Sequence, residues 1–138
     1  MLTRRGFAGC ALCAGLGLIA GTADPRVAAA QTAGITRTIL RRIEFPGDRY
    51  VTILARAEIG PGGIVARHTH PGVETSYVLE GKGTLQVKGR DDQAVGPGDT
   101  FQIPELVPHA ARNGDTRMVI VTTYVVEKDK PLASPAPE

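Results

Sequence analysis

The chain has 138 residues, of which 42% are hydrophobic and 22% charged, so it is long enough for one folded domain and too apolar for a disordered chain. Its 17 glycines, 10 prolines and only 4% aromatic residues predict many turns and a core of Val, Ile and Leu, which favours an all-β domain. The first 30 residues hold three arginines and one aspartate, which leaves 13 basic and 13 acidic residues and no basic run in the remainder. We therefore expect no nucleic-acid partner.

Residues 1–30 have the form of a secretory signal. The pair Arg4-Arg5 is followed by an uncharged stretch at 7–23, rich in Ala, Gly and Leu, and by small residues at 28–30. A charged start, an apolar middle and a small-residue end are typical of a signal peptide, and the arginine pair resembles the twin-arginine export signal. Because the apolar stretch is short and contains several glycines, we expect no permanent membrane anchor. The protein is expected to be exported to the periplasm or secreted.

Cleavage of this signal is expected after Ala30, with Ala23 as the alternative. The two cysteines, Cys10 and Cys13, lie within the leader. We interpret their C-x-x-C spacing as part of the signal rather than as a redox pair or half of a zinc site, because no other cysteine exists to complete such a site. The mature chain is then expected to contain no disulfide.

The mature chain is predicted to fold into about eight short strands, separated by turns rich in Gly and Pro. The predicted strands are Ile35–Phe45, Tyr50–Ile59, Ile64–His70, Glu74–Leu79, Thr84–Lys88, Gln93–Val95, Thr100–Ile103 and Met118–Val126. No stretch of ten or more residues keeps a helical period, which indicates a sandwich or a closed barrel. The expected limits are residues 31–127 for this barrel domain and 128–138 for an extended, Pro-rich tail on its outside.

Three histidines and one glutamate are candidates for a metal site. His68 and His70 are two residues apart on a predicted strand, and alternate side chains of a strand point to the same face. Glu74 heads the next predicted strand and can reach the same point, whereas His109 would have to arrive by barrel closure. Three imidazoles and a carboxylate suit divalent Mn, Fe, Ni, Zn or Cu. The His-x-His spacing alone is weak, because such pairs also occur on surfaces and in cores.

The residues around these four strengthen the metal hypothesis, because they resemble the two signature motifs of the cupin family. The segment from Gly62 to Gly81 matches the first motif, Gly-x5-His-x-His-x3-Glu-x6-Gly. The segment from Gly98 to Asn113, with its proline and histidine at the motif positions, is similar to the second. One departure is Leu106, which stands where the family usually has Gly and puts the local turn in question. The resemblance covers residues 50–127.

This resemblance implies an all-β cupin jelly-roll barrel with one divalent metal ion inside, held by His68, His70, Glu74 and His109. Fold and ligand set do not select the reaction. Our first hypothesis is a metal-dependent dioxygenase of the quercetinase-like type, with Glu74 acting as a catalytic base if it is released from the metal. The alternatives are a non-catalytic periplasmic protein that binds a metal or small ligand, and a metal-dependent lyase or isomerase of a small acid.

Other polar residues on the predicted strands are weaker candidates. Tyr77 would suit a lyase or isomerase as a base, but its odd offset from Glu74 turns it out of the barrel. Arg56, Glu58 and Gln102 are expected to face solvent. Sequence alone therefore identifies no second acid or base beside the metal.

The predicted export signal favours particular metal ions, and the predicted edge strand favours a second copy of the chain as a partner. The twin-arginine route carries folded proteins, so the ion would be loaded in the cytoplasm, where available Cu and Zn are scarce. Mn or Fe is therefore favoured, with Ni, Zn or Cu as alternatives. The other expected partners are a small-molecule substrate or ligand and a second copy of the chain. A homodimer would cover the exposed edge strand predicted at Ile35–Phe45.

Overall fold

The computed structural model describes residues 34–137 except 46 and 48, so the predicted signal peptide, with Cys10 and Cys13, lies outside the described residues. The described chain forms ten strands, β1 Ile35–Glu44, β2 Tyr50–Ile59, β3 Ile64–Thr69, β4 Gly72–Glu80, β5 Gly83–Val87, β6 Gln93–Val95, β7 Thr100–Ile103, β8 His109–Asn113, β9 Met118–Glu127 and β10 Ser134–Pro135. None of the described residues belongs to a helix long and apolar enough to cross a membrane.

The strands form two five-stranded antiparallel sheets, in the orders β1-β2-β9-β4-β7 and β10-β3-β8-β5-β6. Neighbours in a sheet are mostly distant in sequence, since β9 lies between β2 and β4 and β8 lies between β3 and β5. Such crossovers bring widely separated segments onto one inner surface. The prediction of an all-β sandwich or barrel is confirmed.

Strand β4 shows how the sequence pattern builds the interior. Its side chains alternate, so that Glu74, Ser76 and Val78 are buried while the intervening residues are exposed. On the neighbouring strand β9, Tyr124 lies opposite Glu74 and Thr122 lies opposite Ser76. A group of polar side chains therefore occupies the middle of the inner face.

Two apolar clusters fill the barrel beside this polar group. Along β9, Ile120 belongs to the larger cluster on one side and Val126 to the smaller cluster on the other. The larger cluster contains Ile35, Ile59, Val78, Leu85, Val87, Val95, Ile103, Met118 and Ile120, and the smaller contains Val51, Ile53, Ala55, Tyr124 and Val126. Burial of these side chains stabilises the fold without a metal ion.

Two strands of the structure, β8 and β10, are absent from the predicted strands. The first of these, β8, pairs with β3 and places His109 directly opposite His68. The strand β3 ends at Thr69, one residue earlier than predicted, so that His70 lies just beyond its end. Pairing of β8 with β3 within one sheet, rather than closure of the barrel, therefore brings His109 to the other histidines.

The C-terminal tail joins one of the sheets. Its short strand β10 pairs with His68 and Thr69 at the end of β3. Ala133, immediately before β10, is buried with 2% of its surface exposed. The tail therefore lies against the strand that carries one of the predicted metal ligands.

The backbone at Leu106 has a left-handed conformation of the kind that glycine adopts, although the sequence has Leu where the motif usually has Gly. Leu106 has a φ of 58° and its side chain is exposed, a conformation that is costly for a residue with a branched side chain. Its amide donates a hydrogen bond of 3.0 Å to the His70 carbonyl oxygen. The turn that was in question is therefore formed, and it packs against the predicted ligands.

Candidate metal centre

The four residues predicted as ligands come together inside the barrel. His68 is on β3, His109 is opposite it on β8, His70 follows β3, and Glu74 is on β4 of the other sheet. All four are buried, and their ligand atoms lie within 4.8 Å of one another. This group can hold a metal ion.

Each histidine ring is oriented by a backbone carbonyl group. The Nδ1 atom of His68 lies 2.8 Å from the Ala66 oxygen, that of His70 lies 2.6 Å from the Leu132 oxygen, and that of His109 lies 2.9 Å from the Val107 oxygen. Because a carbonyl oxygen only accepts, each Nδ1 must carry the proton and donate it. Every Nε2 atom in a neutral ring is then left with a lone pair directed at the centre, which is the arrangement that metal-binding histidines show.

The Nε2 atoms are too close together for neutral rings without a cation. Those of His68 and His70 are 3.2 Å apart. Glu74 Oε2 lies 2.9 Å from His70 Nε2 and 3.3 Å from His109 Nε2, and the latter nitrogen has no partner with hydrogen-bond geometry. Ligands at metal bonds of about 2.1 Å stand about 3.0 Å apart when they are adjacent in an octahedron. The spacing of these donor atoms therefore fits a divalent ion.

Burial keeps His68 in the neutral form that a metal ligand requires. Burial, and then the neighbouring His109 and His70 rings, lower the pKa of His68 to about 4. The ring therefore offers its lone pair at neutral pH without having to lose a proton.

The carboxylate of Glu74 is divided between two sets of partners. Its Oε1 atom accepts a hydrogen bond of 2.8 Å from the Ser76 hydroxyl, which in turn lies 2.7 Å from the Thr122 hydroxyl. Its Oε2 atom faces His70 and His109. Burial raises the pKa of Glu74, but the two histidines outweigh burial and bring it below the usual range of a glutamate. Glu74 is therefore an ionised donor held in place by Ser76.

A small cavity of about 50 Å³ is lined by three of the four residues, His68, Glu74 and His109. Its walls are mostly apolar, but they include the polar side chains of Arg37, Thr122 and Tyr124. A larger cleft of about 410 Å³ lies elsewhere, against β1 and residues 126–132, and none of the four candidate ligands lines it. The candidate metal centre therefore lies outside this larger cleft.

Tyr124 is a polar residue beside the metal-binding group that sequence reasoning missed. Its ring is buried, and its centroid lies 4.8 Å from that of His70. Burial, followed by the charge of Glu74, raises the pKa of Tyr124 well above its usual value, while side-chain hydrogen bonds with Thr122 and Arg37 oppose this. The phenol therefore stays protonated at neutral pH and can donate a hydrogen bond, but it is a poor base.

Some of the polar residues missed at this site could have been identified from the sequence, and others could not. Ser76 is two residues after Glu74 on the same strand, so the alternation of side chains predicts that both point into the barrel. Thr122, Tyr124 and Arg37 are on β9 and β1, and their side chains face the cavity because of a strand register that no local pattern specifies. The second polar group beside the metal site is therefore supplied by strands distant from the motifs.

The polar residues expected to face away from the barrel do so. Tyr77 is 46% exposed on the outer face of its sheet. Glu58 forms ion pairs with Arg56 at 2.9 Å and with Arg117 at 2.7 Å, outside the cavity, and Gln102 hydrogen-bonds Thr75 at the surface. None of these side chains lines the cavity beside the four candidate ligands.

Comparison with known proteins gives a family match and several relatives. The family model described as "Cupin domain" matches residues 55–125, just over half of the chain. The chain is 32% identical over 124 residues to germin-like protein subfamily T member 3 of Arabidopsis thaliana, a match that covers 85% of this chain and 51% of that protein. The chain thus spans about half the length of the curated relatives it matches.

Solved structures match over most of the barrel. The polyketide cyclase RemF from Streptomyces resistomycificus is 27% identical, with a TM-score of 0.59, and the match covers 77% of this chain and 73% of that one. DMSP lyase DddQ from Ruegeria pomeroyi is 18% identical, with a TM-score of 0.64, and the match covers 79% of this chain and 57% of that one. The second likeness supports the fold alone.

Proposed function

This chain belongs to the cupin family and has its all-β jelly-roll barrel, and we propose that it is a metal-dependent enzyme acting on a small molecule. One observation carries the proposal. Three histidines, each with its Nδ1 atom donating to a carbonyl, and the ionised Glu74 converge beside a cavity that also contains Tyr124 and Arg37. A structural metal site needs no such cavity, because its ligands close around the ion.

We propose one divalent ion bound by His68, His70, Glu74 and His109, with Mn or Fe favoured. Imidazole and carboxylate donors without any thiolate support these harder ions, and Ni, Zn or Cu are the alternatives. When bound, the ion would supply Lewis acidity that polarises a substrate oxygen. Protein folded in the cytoplasm before export would acquire the ion there, which also supports Mn or Fe.

The chain's own residues supply proton transfer and exclusion of water. Glu74, on release from the ion, would serve as the base, and Ser76 would hold its other oxygen in place. Tyr124 would donate a hydrogen bond to an anionic oxygen in the cavity. The apolar wall formed by residues such as Ile59, Val65 and Phe101 would keep water out and strengthen these interactions.

As the reaction type we propose oxygenation of the quercetinase-like kind, in which both atoms of dioxygen enter a substrate with an enolate or catecholate-like oxygen pair. The mostly apolar lining of the cavity supports this reaction type, because dioxygen is apolar and partitions readily into apolar surroundings. Because the cavity is small, only the part of a large substrate that carries the metal-binding oxygens would fit inside it.

A lyase or isomerase of a small acid is the second candidate, supported by the protonated Tyr124 opposite the ionised Glu74. One experiment separates the candidates. The Mn- or Fe-loaded protein is incubated with a panel of enediols, catechols and small hydroxy acids in air and under nitrogen. Oxygen uptake matched to substrate loss supports the dioxygenase, and equal turnover under nitrogen supports the lyase or isomerase. Absence of turnover with metal bound would favour a binding protein instead.

We also propose that two copies of the chain associate through β1. This strand is at the edge of its sheet, and Ile43 on it is 70% exposed, while Phe45, just beyond its end, is 48% exposed. An exposed apolar edge strand is a surface that proteins usually cover.

Export to the periplasm is proposed from the sequence of residues 1–30. The arginine pair, the short apolar stretch and the small residues at 28–30 support it. N-terminal sequencing of protein recovered from the periplasm would test it, with a new N-terminus at Gln31 expected.

A further inference from the structure

Arg37 is a half-buried cation that lines the cavity, and no carboxylate of the described residues forms an ion pair with it. It is on β1, paired with Ala57 of β2, and its side chain lines the cavity beside the candidate metal ligands. Its Nε atom is buried and has no hydrogen-bond partner. Over residues 34–137, apart from the two positions left undescribed, no carboxylate lies within ion-pair distance of Arg37.

Some other arginines of the described chain pair with carboxylates at the surface, whereas Arg67, whose Nε atom is also buried without a partner, does not line this cavity. Arg117 pairs with Glu58 and Glu80 at 2.7 Å, and Arg49 pairs with Glu127. The carboxylate nearest to Arg37 along the cavity wall, Glu74, has both oxygens engaged by Ser76 and by the histidines. A buried guanidinium nitrogen that keeps its N–H free is costly unless an acceptor completes it, and an anion is the strongest such acceptor.

The charge of the loaded site also calls for an anion. Three neutral imidazoles, one carboxylate and a divalent ion leave a net positive charge, and Arg37 adds a second. A carboxylate ligand would offset this charge, and its two oxygens match the planar fork of the guanidinium. The mostly apolar wall strengthens that attraction.

We propose that Arg37 binds the carboxylate of the substrate, and that the substrate is a small monocarboxylic acid with a second oxygen directed at the metal site. This inference rests on the proposed metal-dependent function, and of its two candidate reactions it favours the second, a lyase or isomerase of a small acid. The cavity of about 50 Å³ supports a small acid, since each water-sized site occupies about 10–15 Å³. Tyr124, hydrogen-bonded to Arg37 by its side chain, would fix the guanidinium and share the anion.

The test measures binding of glycolate, with its neutral amide as the comparison, to the Mn-loaded full chain by calorimetry and thermal shift. Glycolate is expected to bind the unaltered protein and glycolamide to bind far more weakly. Arg37→Gln should weaken glycolate at least about tenfold, since hydrogen bonds between charged groups are involved, and leave the Mn content unchanged. Arg37→Lys should give an intermediate affinity. Arg41→Gln, an exposed arginine of the same strand, is the matched control and should bind glycolate normally.

Failure of the proposed metal-dependent function and failure of the role of Arg37 would give different results. If the unaltered protein holds no metal, the proposed function fails. If it holds Mn and its glycolate affinity is the same in Arg37→Gln as in the control, the role of Arg37 is wrong while the metal site stands. Glycolate and glycolamide binding equally well would likewise overturn the carboxylate as the recognised group. If Arg37→Gln does not fold, equal glycolate affinity of Arg37→Lys and the unaltered protein would overturn the need for a guanidinium fork.

Discussion

The Nε2 atoms of His68 and His70 lie 3.2 Å apart, although the Nδ1 atom of each ring donates its proton to a backbone carbonyl. Two lone pairs at this distance repel each other unless a cation or a shared proton lies between them. The backbone therefore fixes a strained pair of donors that a divalent ion relieves.

The stability of the metal-free protein should fall as the pH is lowered from about 6.5 to 4. The pKa of His68 is lowered to about 4 in the folded chain, so that between these pH values the unfolded chain binds a proton that the folded chain does not. The free energy of unfolding should drop by about 3 kcal/mol across this window because of His68. Urea denaturation in the presence of a chelator at several pH values measures it.

The control for this pH dependence is His68→Asn, which cannot titrate and should show a smaller loss. The lowered pKa of Glu74 acts in the same direction, but its contribution is lost below pH 4.5. A stability that stays flat between pH 7 and 4.5 in the unaltered protein would contradict the neutral, buried His68.

Deleting residues 131–138 should weaken metal binding without unfolding the barrel. The Leu132 carbonyl accepts the Nδ1 proton of His70 at 2.6 Å, and its loss frees that ring to rotate. Removing a partner that orients a metal ligand costs about 10–100-fold in metal affinity. Competition with a chelator of known affinity measures the change. Deletion of residues 137–138 alone keeps Leu132 and should leave the affinity unaltered, and equal affinities of the two truncated proteins would show that the tail does not orient His70.

Leu106→Gly should stabilise the protein by about 0.5–1 kcal/mol. The left-handed φ of 58° costs Leu about 1–2 kcal/mol, which Gly would not incur. This relief of strain exceeds the additional backbone entropy that Gly loses on folding. Leu106→Ala is the matched control, because it removes the same exposed side chain but keeps the Cβ atom. Thermal or urea denaturation should rank Gly above both Leu and Ala, and a Gly variant no more stable than Ala would contradict the strain at this position.

Ile43→Lys should convert the proposed dimer to a monomer. Ile43 is 70% exposed on the edge strand β1, where a lysine would oppose pairing with a second copy. Mass measurement in solution at micromolar concentration should show a dimer for the unaltered chain and a monomer for the variant. Thr84→Lys, on the other sheet, should remain dimeric. A monomeric unaltered chain would overturn the homodimer.

The fold and three of the candidate ligands, His68, His70 and Glu74, could be predicted from the sequence because their signals are local. Strand alternation places His68 and His70 on one face, and the short Gly and Pro turns separate the strands. The role of β8 was harder to see, because His109 reaches the site through pairing with a strand about forty residues earlier. Arg37 and Tyr124 could not be assigned, since only the register of β1 and β9 against β2 and β4 turns them toward the cavity.

The central claim is that His68, His70, Glu74 and His109 together bind one divalent ion in a barrel that folds without it. The most direct test is the metal content of the purified protein and of His109→Ala, with far-UV circular dichroism and thermal unfolding of both. The unaltered chain should contain one equivalent of metal, with Mn or Fe expected. His109→Ala should lose most of the ion and keep its strand spectrum, because the apolar clusters remain buried. Full metal occupancy in His109→Ala would contradict the ligand assignment, and its global unfolding would show that the ion is structural.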